Sequence, residues 1–209
     1  MEPYAQPIGL EAENAGCDRA GAPVARGVSF VMQPGEGMQL FGPNGSGKTS
    51  LLAMFAGLIR PADGAIVWRN AGATSQKPFD DSVFFLGHAA SVKASLTPQE
   101  NLDFWAKTYG VQNRKARIDA ALAEVGATSF ATMRSGRLSA GQRRRVDLAR
   151  ALIAARPVWL LDEPTAAIDR DGVAMVRAMT ANHLARGGIA IIATHDDLGD
   201  GFKRLELGR

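Results

Sequence analysis

Short apolar runs alternate with helical patterns along the last third of the chain. Val158–Leu161 and Ile189–Ala193 are wholly apolar, as is the earlier run Val83–Leu86, which is expected of parallel strands that are buried on both faces of a sheet. Residues 140–155 and 170–186 carry the apolar spacing of amphipathic helices. Because strands and helices alternate, the pattern predicts an α/β fold with a parallel sheet.

The first third of the chain has a weaker pattern. About the first 20 residues show no clear period, and Glu11–Ala25 is rich in glycine, alanine and charged side chains. Strands are predicted at Val28–Val31, Gly37–Phe41 and Ala65–Trp68. A helix is predicted from about Lys48 to Ala56.

The middle third favours two helices. Thr97-Pro98-Gln99-Glu100 places threonine, proline and glutamate where a helix start prefers them. That helix is expected to stop at Gly110, and a second should cover about 114–125. The aromatic side chains of the first helix form either a binding patch or part of the core of a small helical subdomain, and the core is favoured. They are Phe104, Trp105 and Tyr109.

A candidate phosphate-binding loop lies between a predicted strand and a predicted helix. Gly42–Thr49 has the spacing G-x-x-x-x-G-K-[ST], and this context disfavours a chance glycine-rich turn. Glycines let successive N–H groups turn towards one anion, and the helix start adds its positive end. Lys48 is expected to reach the β- and γ-phosphates, and the Thr49 hydroxyl to ligate Mg²⁺. The predicted nucleotide contacts are Gly42, Pro43, Asn44, Gly45, Ser46, Gly47, Lys48, Thr49 and Ser50.

Carboxylates and a histidine follow two of the predicted strands. Asp162 is expected to hold the Mg²⁺ shell, and Glu163 to orient and deprotonate the attacking water. His195 follows the strand Ile189–Ala193 at the carboxyl edge of the sheet, where it could hydrogen-bond the γ-phosphate or that water. The alternative for Asp162 and Glu163 is the start of a solvated loop, and the alternative for His195 is an ordinary surface histidine. Beside a phosphate loop, the catalytic interpretation is favoured.

A second anion-binding device is predicted at Leu138–Gln142. Ser139 and Gln142 form an S-x-x-Q capping box, which marks the exposed start of a helix. Backbone N–H groups, a serine hydroxyl and the positive end of the helix dipole converge there. Two phosphate-binding devices in one chain indicate that two chains share each nucleotide.

The order of these motifs resembles that of the ATP-binding cassette (ABC) ATPases. The match rests on Gly42–Thr49, Leu138–Gln142, Leu160–Glu163, Ala167–Asp169 and His195, and it covers essentially the whole chain. The resemblance implies a P-loop NTPase core of the RecA type with a parallel sheet, an N-terminal antiparallel β region and an inserted helical subdomain.

The same resemblance implies domain limits and an assembly. The chain would form one ATP-binding domain, with a catalytic core at about 1–87 and 157–209 and a helical subdomain at about 88–156. Domains of this family pair head to tail, which implies a homodimer. The ATP held by Lys48 of one subunit would then be closed by residues of the other, with Asp169 at the dimer seam. The closing residues would be Ser139, Gly141 and Gln142.

Two positions depart from the family pattern. The family has a glutamine after the strand that ends here at Leu86, where it contacts Mg²⁺ and water, whereas this chain has Gly87-His88-Ala89. His88 is a candidate catalytic residue in its place, because imidazole can bind water or the γ-phosphate. Residues 17–25 hold no aromatic side chain to stack on adenine. Arg19 could stack its guanidinium plane instead, with a solvent-exposed arginine as the equal alternative.

Finer features resemble the CcmA family, the ATPase subunit of the bacterial haem exporter of c-type cytochrome maturation. They are Leu86-Gly-His88, Leu96–Leu102, Trp159–Thr165 and Ala167–Asp169. This resemblance implies integral membrane partners, a place at the cytoplasmic face of the inner membrane, and ATP-driven release of haem-loaded chaperone. No residue pattern suggests that haem binds directly. The alternatives are the ATPase subunit of another ABC transporter and, less favoured, a soluble ABC ATPase.

Composition and charge bear on the kinds of partner and the cellular compartment that the chain can have. The 209 residues carry a formal charge of only +3, which by itself implies no polyanionic partner. Arg143-Arg144-Arg145 could suggest nucleic acid, but a solvated or dimer-facing helix surface is favoured. Cys17 is the only cysteine, so it excludes an internal disulfide and fits a small apolar residue in a reducing compartment. The N-terminus lacks signal-peptide features, and no apolar run is long enough to span a bilayer.

Overall fold

The structure, a computed structural model, describes residues 3–19, 22–79 and 81–208, and its contacts divide the chain into two compact units. The core unit comprises Met1–Phe85, Arg156–Glu163 and Met179–Arg209. The helical unit comprises Leu86–Ala155 and Pro164–Ala178.

Nine strands and five α-helices follow one another along the described ranges. The strands are β1 (Ile8–Arg19), β2 (Ala22–Met32), β3 (Gly37–Phe41), β4 (Asp63–Asn70), β5 (Ala73–Ser75), β6 (Val83–Leu86), β7 (Val158–Asp162), β8 (Ile189–Ala193) and β9 (Phe202–Glu206). The helices are α1 (Lys48–Phe55), α2 (Pro98–Thr108), α3 (Arg114–Glu124), α4 (Ala140–Ala154) and α5 (Arg170–Ala185). Short 3₁₀ turns occur at Thr128–Phe130 and Ser135–Arg137.

The core unit contains the predicted parallel sheet. Its strand order is β6-β7-β8-β3-β9, and β3 runs parallel to β8 and β9, as β7 does to β8. Every residue of β7 and β8 is buried, as the apolar runs Val158–Leu161 and Ile189–Ala193 predict, and the final residue of β7, Asp162, is buried with them. Leu51 and Phe55 of α1 pack into the same apolar cluster as Leu40, Leu160 and Ile191. The expected α/β core is therefore confirmed, and the carboxyl ends of β3, β7 and β8 meet at one edge of the sheet.

A second, antiparallel sheet has the strand order β2-β1-β4-β5. All four of its strands come from about the first third of the chain. The sequence pattern did not predict β1, although it is one of the longest strands. Ile8, Leu10 and Ala12 alternate as expected, but register shifts follow Ala12, Ala15 and Cys17. These bulges break the two-residue period from which a strand is recognised. Cys17 itself is buried and free, in keeping with its expected apolar role.

The helical unit begins its first helix where the sequence predicts. Thr97 Oγ1 accepts a hydrogen bond from the Glu100 N–H (3.2 Å), and Glu100 Oε2 accepts one from the Thr97 N–H (2.7 Å). Leu102, Ala106, Ile118 and Leu122 form the buried faces of α2 and α3. Across the described ranges, no helix combines the length and apolar character needed to cross a bilayer.

Of the three aromatic side chains predicted for the first helix, Phe104 lies at the surface of the helical unit rather than in its core. Phe104 is 47% exposed, and Trp105 stacks on Tyr109 with ring centroids 5.7 Å apart, both half-buried. The prediction of a core position is wrong for Phe104, because Leu102 and Ala106 occupy the inward face of the helix.

Candidate active site

The phosphate loop leaves the end of β3 and turns directly into α1. Gly47 immediately precedes the helix with φ 97°, in the left-handed region. A Cβ at that position would lie 2.8 Å from the Val24 carbonyl oxygen of β2, so only glycine fits both the conformation and the space. This close approach explains why the motif needs a glycine before Lys48.

Lys48 is buried at the first position of α1, with 8% of its surface exposed. Its ammonium donates to the carbonyl oxygens of Gly42 (2.7 Å) and Pro43 (3.1 Å). The cation is thereby held along the loop whose backbone would surround an anion. Within the described residues, Ser46 Oγ is buried without a hydrogen-bond partner, so the loop holds a further polar atom with capacity for a ligand.

Thr49 and Asp162 come together from distant parts of the sequence. Thr49 Oγ1 donates to Asp162 Oδ2 at 2.8 Å, and Asp162 is only 2% exposed at the end of β7. Two adjacent oxygens beside a phosphate loop suit Mg²⁺, which commonly takes one or two protein oxygens and completes its shell with phosphates and water. In the described parts of the chain, no group of three or more His, Cys, Asp or Glu side chains forms a separate metal site.

Glu163 directly follows β7 in a strained backbone conformation. Its φ is 48°, in the left-handed region that residues other than glycine seldom adopt. Its N–H donates to the Ala193 carbonyl oxygen at 2.7 Å, which fixes the residue against the end of β8. Backbone strain of this kind concentrates at functional sites, so the conformation agrees with the predicted role.

His195 lies between the phosphate loop and Glu163. Its Nε2 is 3.3 Å from Asn44 Oδ1 and 3.7 Å from Glu163 Oε1, while the side chain is 62% exposed. The first distance permits a hydrogen bond, whereas the second lies beyond one. The imidazole therefore has one edge near the predicted base and can still reach a ligand from solvent.

Gln39 is a supporting residue that the sequence reasoning missed. It lies in β3 and is 1% exposed. Its side-chain amide donates to the carbonyl oxygens of Thr194 (3.2 Å) and Asp196 (2.7 Å), one on each side of His195. A polar residue within an otherwise apolar, doubly buried strand was the available signal.

In the helical unit, Ser139 caps α4 as predicted. Ser139 Oγ accepts from the Gln142 N–H at 3.1 Å, and Gln142 Oε1 accepts from the Ser139 N–H at 2.9 Å. Ser139 is exposed. A Cβ on Gly141 would lie 2.4 Å from the Ala167 carbonyl oxygen, so the helix start packs closely against the turn that precedes α5.

Asp169 is held in the same neighbourhood of the helical unit. Its Oδ1 accepts hydrogen bonds from the Gly172 N–H (2.9 Å) and from Arg145 Nη2 (2.7 Å). The Gly172 N–H, followed by Arg145, holds the pKa of this carboxyl below its ordinary value. Asp169 is therefore ionised at neutral pH beside the Gly141 turn.

The three consecutive arginines do not form a solvated face. Arg144 is 4% exposed and donates to the carbonyl oxygens of Gly87 (3.0 Å) and His88 (3.3 Å). Arg145 contacts Asp169, and only 18% of its side chain is exposed. The expected solvated or dimer-facing surface is thus wrong for Arg144, because the backbone of the preceding loop needs its donors.

Three further predicted residues are His88, Arg19 and Ser50. His88 has an exposed side chain in the helical unit. Arg19 is exposed at the end of β1, and the neighbouring residues 20 and 21 lie outside the described ranges. Ser50 is buried within α1. The structure brings together Lys48, Thr49, Asp162, Glu163 and His195 in the core unit, and Ser139, Gly141, Gln142 and Asp169 in the helical unit.

Comparison with known proteins identifies the family. Residues 25–166 match the family model described as ABC transporter. The chain is 42% identical over 203 residues to the cytochrome c biogenesis ATP-binding export protein CcmA of Paramagnetospirillum magneticum, covering 95% of this chain and 93% of that protein. It is 45% identical over 191 residues to the protein of the same name from Paracoccus denitrificans, with 91% and 84% covered.

A solved structure supports the same placement. An ABC transporter ATP-binding protein from Pyrococcus furiosus superposes with a TM-score of 0.83 at 28% identity, covering 95% of this chain and 97% of that one. The fold class expected from the sequence is thus confirmed. The chain belongs to the ABC transporter family of ATP-binding, ATP-hydrolysing proteins, and within it to the CcmA family.

Proposed function

We propose that this chain is the ATP-hydrolysing subunit of the bacterial haem exporter of c-type cytochrome maturation. The observation that carries the proposal is the cluster at the sheet edge, where Asp162 contacts Thr49 and His195 contacts Asn44 beside Glu163. The relatives are named cytochrome c biogenesis ATP-binding export proteins. A full set of hydrolytic side chains favours turnover of ATP over regulatory nucleotide binding.

The phosphate loop holds the nucleotide in this proposal. Gly42–Ser50 surrounds the phosphates with backbone N–H groups, and Lys48 exchanges the Gly42 and Pro43 carbonyls for phosphate oxygens. Thr49 and Asp162 hold Mg²⁺, Asp162 through water. When bound, the ion neutralises charge on the phosphates. Arg19 covers the adenine ring with its guanidinium plane.

During hydrolysis, Glu163 carries out one proton transfer. Its carboxylate accepts a proton from the attacking water as that oxygen bonds to the γ-phosphorus and the bond to the β–γ bridging oxygen breaks. His195 donates a hydrogen bond to the γ-phosphate, and the ammonium of Lys48 compensates the negative charge of that phosphate. Gln39 keeps His195 in place through the carbonyls on either side of it. His88 orients the water or contacts the γ-phosphate, in place of the family's glutamine.

Two copies share each nucleotide in the proposed assembly. The single ATP-binding domain over 1–209 pairs head to tail with a second copy, and the exposed start of α4 closes on ATP held by the partner's phosphate loop. Support comes from Ser139, whose capping box leaves the helix start fixed and exposed. Asp169 lies at the dimer seam, ionised and fixed by Arg145. Dimer closure is thus coupled to ATP.

Integral membrane subunits of the cytochrome c maturation system are the proposed partners. The chain is bound to them at the cytoplasmic face of the inner membrane, through the segment from about 88 to 137. ATP-driven closure releases haem-loaded chaperone, without haem or nucleic acid binding to this chain. The names of the relatives and the surface position of Phe104 in α2 support this proposal.

The test compares the wild-type chain with Lys48→Ala in a host that lacks its own copy. Both should be recovered from membranes with the same integral subunits, identified by mass spectrometry, but only the wild type should restore c-type cytochromes detected by haem staining. The variant should keep the fold, which its recovery with the membrane subunits checks, but lose the phosphate contact of the ammonium. Recovery with subunits of a different transporter, with cytochromes unaffected, would refute haem export and leave the ATPase assignment standing.

A further inference from the structure

The segment 87–93 has no regular secondary structure, yet buried side chains hold its backbone. Arg144 of α4 donates to the carbonyl oxygens of Gly87 and His88 at 3.0 and 3.3 Å. Asp147 Oδ2 accepts from the Ser91 N–H at 3.1 Å. Arg144 is 4% exposed and Asp147 is fully buried, so the side-chain partners of these hydrogen bonds are removed from water, whereas His88 and Ser91 are exposed.

Helix α2 holds the other end of this segment. Asn101 Oδ1 accepts from the Lys93 N–H at 2.8 Å, and Asn101 Nδ2 donates to the Lys93 carbonyl oxygen at 3.1 Å. Trp105 Nε1 lies 3.5 Å from the Ser91 carbonyl oxygen. An irregular segment normally satisfies its backbone groups with water, whereas this one is fixed by two helices.

The charged side chains on this face of α4 are costly to bury. Asp147 accepts a hydrogen bond from Arg150, and its Oδ2 lies 3.9 Å from Arg144 Nη1. Desolvating two guanidinium groups and a carboxylate offsets much of their mutual attraction, and apolar side chains could pack there without that penalty. Stability alone therefore does not account for the cluster, but fixed geometry of the segment does.

The consequence concerns His88, whose carbonyl is fixed while its side chain is exposed. Arg144 lies five residues after Ser139 on the same helix, about 7.5 Å along its axis. We propose that Arg144 and Asp147 are positioning residues that tie His88 to α4, so that engagement of Ser139 with the partner's nucleotide sets the position of His88. This inference rests on the proposed function for the roles of Ser139 and His88.

The first test measures hydrogen exchange in the full-length chain carrying Arg144→Lys. Lysine keeps the charge, so the fold should survive, but it lacks the planar guanidinium donors that contact the Gly87 and His88 carbonyls together. Exchange of the peptide spanning residues 87–93 should accelerate about tenfold, the change expected when local opening loses a hydrogen bond to a charged group. Arg117→Lys, at an exposed position of α3, is the matched control and should leave exchange unchanged.

The second test is an ATPase cycle with His88→Ala, Arg144→Lys and the double variant. Arg144→Lys should lower kcat about tenfold with little change in KM for ATP, as expected for a misplaced group. In the His88→Ala background it should cost nothing further, because Arg144 acts through His88.

Unchanged exchange in Arg144→Lys, or losses of kcat that multiply in the double variant, would overturn the inference. A merely structural role would instead lower thermal stability and leave the two substitutions independent. If the wild-type chain hydrolyses no ATP, the proposed function fails. Exchange still decides separately whether Arg144 holds the segment.

Discussion

His183 should make the protein lose stability as the pH falls below about 6.5. The side chain is 2% exposed and stacks on Trp159 with ring centroids 4.0 Å apart. Its Nε2–H donates to the Ile189 carbonyl oxygen (2.9 Å), which leaves Nδ1 to accept from the Tyr4 hydroxyl (2.8 Å). Both ring nitrogens are thus satisfied in the neutral form.

Burial is the main cause that lowers the pKa of His183 from 6.5 to about 4, and the nearby Arg186 guanidinium adds to it against an opposing effect of the Ile189 carbonyl. Between those two values the unfolded chain binds a proton that the folded chain does not. The free energy of unfolding therefore falls as the pH drops through this window, by about 1.4 kcal/mol per pH unit and about 3 kcal/mol in all. Above pH 6.5 this contribution is fully present and constant.

The assay is urea unfolding followed by circular dichroism between about pH 7.5 and about pH 4.5 for the wild type and His183→Gln. Glutamine can still donate to Ile189 but does not titrate in this range. Glu36 and Asp103, whose pKa values are lowered by hydrogen bonds from Lys203 and Lys107, stabilise the fold less only when the pH falls below their ordinary values of 4.5 and 3.8, at or beyond the acid end of this range. They do so equally in both proteins, so the difference between the two curves isolates His183.

The difference in the free energy of unfolding between the wild type and His183→Gln should shrink by about 1.4 kcal/mol for each pH unit below 6.5. Tyr4→Phe provides a second comparison, because it removes the hydroxyl donor but keeps the ring. It should lower stability by about 1 kcal/mol at every pH, leaving the slope intact, since burial rather than Tyr4 depresses the pKa. A constant difference between wild type and His183→Gln across the window would refute the reasoning.

Three further predictions concern the active site. Glu163→Gln should still bind ATP and trap a dimer while hydrolysis falls at least about 100-fold, the range for a lost general base; near-normal turnover in a phosphate-release assay would reject its role. Ser139→Ala should weaken ATP-dependent dimerisation, measured by light scattering, more than ATP binding by the monomer; equal losses would contradict the shared site. Gly47→Ala should reduce affinity for a fluorescent ATP analogue more than about tenfold, because left-handed backbone costs alanine about 1–2 kcal/mol and its Cβ would crowd Val24. Gly45→Ala, with a similar φ but open space around its Cβ, should cost less, and equal losses would remove the steric argument.

The candidate site could be predicted in large part from sequence because its chemistry is encoded locally. The phosphate loop needs glycines at fixed spacing, and the two capping boxes need a hydroxyl and a longer side chain three residues apart. Both capping boxes form as expected, at Thr97 and Ser139. The strands β7 and β8 were predicted from the apolar runs Val158–Leu161 and Ile189–Ala193, because a strand that is buried on both faces is mostly apolar.

The roles of residues that act through partners distant in the chain could not be predicted from the sequence. Gln39 acts through Thr194 and Asp196, far along the chain. The sequence of β3 gives no indication that its side chain contacts those residues. Arg144 looked like part of a charged surface, but the carbonyls it satisfies belong to a loop more than fifty residues earlier. The exposure of Phe104 likewise depended on which face of α2 packs inwards.

The sequence by itself determined the class of chemistry, the element boundaries around the motifs and the family. Only the tertiary structure decided that Asp162 contacts Thr49, that His195 lies between Asn44 and Glu163, and how the bulged strand β1 pairs. The physical reason is range. Backbone conformation and capping are set by neighbours within a few residues, whereas burial and side-chain pairing are set by packing between segments that the chain brings together only on folding.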